Sequence, residues 1–103
     1  MKNQMRAIHP GEILKEEYLA PLGLSVNALA KALHVTPSRI NDIVLGRRGV
    51  TPDTALRLAR YFGGDAQSWL NLQQSYDLKV AEKSALQTIL KTVMPLQAVA
   101  LAH

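Results

Sequence analysis

Apolar residues along this chain recur at helical rather than alternating spacing. Val26, Leu29, Ala30 and Leu33 stand at i, i+3, i+4 and i+7, which places them on one face of a helix. Ile40, Ile43 and Val44 form a shorter stripe. Ala55, Leu58, Ala59 and Phe62 form a third, and Trp69, Leu70, Leu72 and Tyr76 a fourth. Ile13, Leu14 and Tyr18 precede them all. No segment shows the two-residue alternation of a half-buried strand, and no internal repeat is visible.

Polar punctuation between the stripes fits short helices. Pro10 suits the first position of the earliest one, with Glu12 in its first turn, and Pro21 and Gly23 are expected to stop it. Ser25, Thr36, Thr51 and Asp65 are N-cap residues for the next four. Pro37 and Pro52 follow two of these caps directly, and Gly46 and the Gly63–Gly64 pair supply ends. Beyond Asp77, Leu86, Ile89, Leu90 and Val93 continue a stripe until Pro95, and Leu96 to His103 is mostly apolar with no evident core to join. The expected fold is therefore all-α: a compact five-helix domain over residues 1–78, followed by a C-terminal helical extension and tail over 79–103 that contacts a second copy or a partner.

The chain has 103 residues, enough for one domain that buries about 60–70% of its unfolded surface and folds without a metal or disulfide. It contains no cysteine, so disulfides and thiolate metal sites are excluded. No run approaches the roughly 20 apolar residues of a membrane span, so no membrane association and a cytoplasmic location are expected.

Net charge is +4, and its distribution is more informative than its size. Residues 1–24 and 65–103 each balance to zero. Residues 25–64 carry Lys31, Arg39, Arg47, Arg48, Arg57 and Arg60 against Asp42 and Asp53, which is the whole excess. A basic middle third on a helical scaffold suits a polyanion.

Coupled size restrictions make the second and third helices, Val26 to Val44, read as a helix-turn-helix. Ala30 falls where the two helices cross, His34 in the turn, and Ile40 and Ile43 where the second helix of the pair must bury bulk. The turn position favours positive φ, so His34 is read as a strained turn residue and not as a ligand. The reading helix then offers Ser38, Arg39, Asn41 and Asp42 as base-reading positions, with Leu45 near its end. Arginine suits guanine and asparagine suits adenine. Asp42 would face a polyanion unless it accepts from a cytosine, orients Arg39 or turns aside. This reading asks that Arg39 and Asn41 stand toward open water, neither against the interior nor nearest to acidic side chains. Phosphate contacts are expected from Ser25 and Asn27 at the amino end of the second helix, from Thr36, and from Lys31, Arg47 and Arg48.

The elements "HPGEIL", "SRINDIVLGRRG", "TALRLARYFG" and "WLNLQ" together resemble the HigA (VapI-like) antitoxins of the phage-repressor-like (XRE) helix-turn-helix superfamily, over His9 to about Leu78. The resemblance implies a lambda-repressor-like domain, a homodimer, a double-stranded DNA operator and repression of the chain's own operon. It also implies a cognate HigB-type toxin, an mRNA-cleaving ribonuclease that the antitoxin silences. In such relatives the reading helix makes the base contacts, which maps here onto Ser38, Arg39 and Asn41. Trp69 to Gln73 is expected to support the core and a dimer, not a cofactor. Residues 1–8 and 79–103 match no pattern of the family.

Three rivals remain. One is a stand-alone transcriptional regulator with no toxin, which the identity of the neighbouring gene would separate. Another is a protein-interaction module that has lost DNA affinity, against which Arg39, Asn41, Arg47 and Arg48 argue. The third is an enzyme. Its histidines would be His9, His34 and His103, in a loop, a turn and the terminus; no HExxH, phosphate-cradling glycine loop or nucleophile elbow is present. Glu16 and Glu17 are adjacent and so diverge on a helix. Neither catalysis nor a cofactor is expected.

Overall fold

The computed structural model describes residues 6–96; the apolar tail from residue 97 to His103 lies outside them. Every regular element among the described residues is helical. Helix α1 occupies residues 10–22 as three consecutive pieces: an α-helical Pro10–Ile13, a π-helical Leu14–Leu19 and an α-helical Ala20–Leu22. Four more helices follow: α2 (Val26–Leu33), α3 (Pro37–Val44), α4 (Pro52–Phe62) and α5 (Ala66–Thr92).

The expected caps are in place. Ser25 accepts from the Ala28 N–H at 3.0 Å, Thr36 from Arg39 at 3.3 Å, Thr51 from Thr54 at 3.4 Å and Asp65 from Ser68 at 2.7 Å. Each satisfies one of the amide donors that a helix start leaves unpaired. The Ser68 amide also holds the Asp65 carboxyl below its ordinary pKa. His9 caps α1, its Nδ1 accepting from the Gly11 N–H at 2.8 Å. Pro21 does not stop that helix, as the sequence suggested, but sits inside its last turn. The π-helical turn before it bonds the Ala20 N–H to the Lys15 carbonyl, five residues back. This wider turn eases the clash between a proline ring and the preceding carbonyls. Gly23 is the actual stop, in the left-handed conformation.

The core lies between α1 and the helices that cross it. Leu14, Leu29, Ala30, Ile40, Ile43, Ala55 and Leu58 are fully buried, and Leu19, Leu33, Val50 and Trp69 nearly so. Trp69 packs on Tyr18 with ring centroids 5.3 Å apart, and Tyr18 on Phe62 at 4.7 Å. The start of α5 thereby closes the domain.

α5 is one unbroken helix of 27 residues, about 40 Å long at 1.5 Å per residue. It passes through residue 78 without interruption, so the fifth helix and the extension expected from the sequence are a single element. Its second half leaves the domain, and the described part of the molecule measures 61 × 25 × 24 Å. Leu78, Leu86, Ile89, Leu90 and Val93 on that arm are all exposed.

Candidate nucleic-acid interface

The turn between α2 and α3 depends on one residue in an unusual conformation. His34 adopts φ 60° and ψ 45°, as the turn position requires. Its N–H donates to the Lys31 carbonyl at 3.2 Å, and the Val35 N–H donates to the Ala30 carbonyl at 3.0 Å. This pair of bonds is a Schellman closure, made here by a residue with a Cβ. Arg57 of α4 reaches over the end of α2, its Nη1 donating to the Leu33 carbonyl at 2.8 Å.

α3 is held from two sides. Ala30, fully buried, lies at the contact with α2, and Ile40 and Ile43 fill the interior. On the other side Gly11 of α1 lies against the Ile43 carbonyl, so close that a Cβ at Gly11 would overlap the carbonyl oxygen. The residue must therefore be glycine for α1 to brace the back of α3. Gly46, at φ 77°, ends α3 by a second Schellman closure: its N–H donates to the Ile43 carbonyl at 3.0 Å and the Arg47 N–H to the Asp42 carbonyl at 2.8 Å.

The water-facing row of α3 is Ser38, Asn41 and Leu45, all exposed and at the i, i+3, i+7 spacing of one face. Arg39 departs from expectation. At 3.6 residues per turn it sits about 100° round the helix from Ser38, on the flank beside Ile43. Its side chain is only 32% exposed, and its Nη1 donates to Asp53 Oδ2 at 2.8 Å and to Thr54 Oγ1 at 3.4 Å. Asn41 meets the requirement for open water; Arg39 does not, because its guanidinium lies against the Asp53 carboxylate.

Of the roles open to Asp42, the geometry matches turning aside. Its carboxylate lies 3.4 Å from Arg47 Nη2 and 3.8 Å from Arg48 Nη2, and it does not reach Arg39. Arg47 and Arg48 nonetheless remain 62% and 48% exposed. Ser25, Asn27, Lys31 and Thr36 are also exposed. The Ser25 and Thr36 hydroxyls are already engaged as caps, and the Thr36 hydroxyl also lies 3.4 Å from that of Ser38.

The basic loop after α3 is fixed from behind by His9, to which the sequence assigns no role, and by Gln73 of the segment expected to support the core. His9 is buried and stacks edge-on against Tyr76 of α5 at 4.8 Å. Burial pushes its pKa below the ordinary histidine value, although the Asp77 charge and the Arg48 backbone oppose the shift. Gln73 of α5 accepts from the Val50 N–H at 2.7 Å and donates to Asp77 at 2.9 Å. A cleft of about 220 Å³ lined by Arg39, Arg48, Gly49, Thr51, Asp53 and Thr54 joins the flank of α3 to this loop. His9, Gly11 and Gln73 stand inside the "HPGEIL" and "WLNLQ" elements. Those elements were the available signal, but which atoms they touch depends on chain crossings that no local pattern encodes.

Among the described residues no cluster of histidine or acidic side chains has metal-binding geometry, and no helix is long and apolar enough to cross a membrane.

Comparison with known proteins agrees with this architecture. The helix-turn-helix family matches residues 14–69. Virulence-associated protein I of Dichelobacter nodosus is 76% identical over 82 residues, covering 80% of this chain and 76% of that protein. Antitoxin HigA-1 of Vibrio cholerae is 37% identical over 78 residues, covering 75% and 72%. Among solved structures, the Pseudomonas aeruginosa antitoxin HigA with the higBA promoter superposes with a TM-score of 0.86 at 46% identity, covering 88% of this chain and 99% of that one. With the turn at His34, the braced α3 and these similarities together, the chain belongs to the helix-turn-helix family, in its HigA-type, VapI-like branch.

Proposed function

We propose that this chain is a sequence-specific DNA-binding antitoxin that represses its own operon and neutralises an mRNA-cleaving toxin. The observation that carries the DNA reading is the exposed row Ser38–Asn41–Leu45 on a helix braced from behind, beside two exposed loop arginines. Similarity to an antitoxin solved with promoter DNA supports it.

In this reading α3 enters the major groove. Asn41 pairs with adenine, Arg39 with guanine, and Ser38 with either a base or a phosphate. Leu45 supplies apolar contact for a thymine methyl. Lys31, Arg47 and Arg48 neutralise phosphates, and Ser25, Asn27 and Thr36 with their backbone amides add hydrogen bonds that set register. Asp42 holds Arg47 and Arg48 toward the duplex. Two copies bind a pseudo-palindrome whose half-sites lie about one DNA turn apart, roughly 34–36 Å. The exposed apolar row of the α5 arm supports a homodimer, and the toxin is inferred from the similarity to named antitoxins.

The test is titration of DNA upstream of the chain's own coding sequence at two salt concentrations, with and without the product of the adjacent gene. The expected result is a symmetric footprint, affinity that falls steeply with salt, and a stable complex with the neighbour's product. Equal affinity for upstream and random DNA would remove the repressor reading. A specific footprint with no protein complex would leave a stand-alone regulator.

A further inference from the structure

Arg39 belongs to a short chain of charged groups that crosses three helices. Asp53, in the first turn of α4, accepts from both Arg39 Nη1 at 2.8 Å and Arg57 Nε at 2.9 Å, through the same oxygen, Oδ2. Arg57 is anchored in turn by the Leu33 carbonyl at 2.8 Å. The end of α2 thus fixes Arg57, Arg57 fixes Asp53, and Asp53 fixes Arg39. The arrangement also holds the Asp53 carboxyl below its ordinary pKa, chiefly through Arg57 and then through Arg39.

Two physical arguments make this more than a surface ion pair. Asp53 is exposed, and exposed pairs contribute little to stability. Its carboxylate also lines the same cleft as Arg39 and Arg48, where a negative charge weakens attraction to a polyanion. The compensating effect is aim. An arginine side chain has large rotamer freedom, and fixing it beforehand lowers the entropy lost on binding. Only Nη1 of Arg39 is engaged among the described residues. The edge formed by Nε and Nη2 is left for a pair of acceptors such as guanine O6 and N7.

We propose that Asp53 is a specificity-determining residue that acts on DNA through Arg39 without touching it. The proposal rests on the reading of α3 as the base-reading helix. In it, Asp53 lowers affinity for DNA of any sequence and raises discrimination at one base pair per half-site.

The test uses the full chain and a duplex selected by the wild-type protein from a randomised pool. Affinities are measured for that duplex, for every single-base-pair substitution of it, and for a random duplex. Arg39→Ala is expected to lose discrimination at one base pair per half-site. Asp53→Asn is expected to lose roughly tenfold discrimination at that same base pair, to keep the rest of the profile, and to bind random DNA as well as or better than wild type. The double variant should match Arg39→Ala alone at that position. Melting curves accompany each variant. Should Asp53→Asn lose its cooperative transition, Arg57→Gln takes its place, with a smaller loss expected at the same base pair.

A wild-type profile for Asp53→Asn, where Arg39→Ala is altered, overturns the role of Asp53 and leaves Arg39 as a reader. Additive losses in the double variant overturn it equally. A wild-type profile for Arg39→Ala removes Arg39 from base reading altogether and reduces the network to a tie between helices.

Discussion

The two halves of α5 are one helix in two environments. From Ala66 to Tyr76 it closes the domain: Trp69 is 5% exposed, Gln73 clips the Gly49–Val50 loop and Tyr76 meets His9. From Val80 onward its large apolar side chains are exposed. Leu90 is 62% exposed and Val93 63%, although these side chains are as apolar as those of the core. Helix propensity and backbone hydrogen bonding continue unchanged across the boundary, so they do not define the domain. Burial and long-range contact do. The first half positions the basic loop and, through it, the end of α3; the second leaves an apolar row exposed.

The largest expected effect lies in the buried half. Trp69→Ala should destabilise by about 3–5 kcal/mol, read as a fall in melting temperature, because it empties a large site between α1 and α5. An unchanged melt would remove α5 from the core. Gly11→Ala should cost about 3 kcal/mol, since the added methyl meets the Ile43 carbonyl, which has no side-chain freedom to yield. DNA affinity should fall with it, because α3 moves when its brace does.

His34→Gly should act in the opposite direction and stabilise by about 1 kcal/mol, by relieving a side chain held at positive φ. A loss of stability would show that the imidazole makes a contact of its own. His9 predicts a pH dependence. Its folded-state pKa lies below the ordinary value of 6.5, so its contribution is fully present above that pH. The contribution is lost as pH falls through the lower, folded-state value, where a protonated Nδ1 no longer accepts from Gly11. His9→Asn, which keeps a capping oxygen, should flatten the melting temperature in that window. Asp53 and Asp65, also depressed, contribute fully above the ordinary aspartate value of 3.8 and lose that contribution only as pH falls below it.

The smallest effect belongs to the arm. Leu90→Ala should change the stability of the isolated domain by no more than about 0.5 kcal/mol. Deleting residues 85–103 should leave the melt of the domain intact yet shift sedimentation toward a single copy. An unshifted dimer would place the two-fold contact elsewhere.

Much of this structure was legible because its determinants are local. A cap and the amide it satisfies lie three residues apart, and a helical stripe repeats within eight. The positive φ at His34 followed from the turn it occupies. What escaped the sequence reading joins residues far apart in the chain. Arg39 and Asp53 are 14 positions apart, Val50 and Gln73 are 23 apart, and His9 meets Tyr76 across nearly the whole domain. Arg39 was assigned to the exposed face of α3 by residue type, whereas its angular position puts it on the flank. Pro21 reads as a stop in the sequence, because the π-helical turn that accommodates it carries no composition signal.

If the exposed row of α3 reads base edges in the major groove, Asn41 is the side chain whose loss must show it. Wild type and Asn41→Ala are titrated against the selected duplex, its single-base-pair substitutions and a random duplex. The account predicts a loss of about 1–3 kcal/mol of discrimination confined to one A·T pair per half-site, with random-duplex affinity unchanged. An Asn41→Ala profile that superimposes on wild type, or weakens equally at every position, contradicts it.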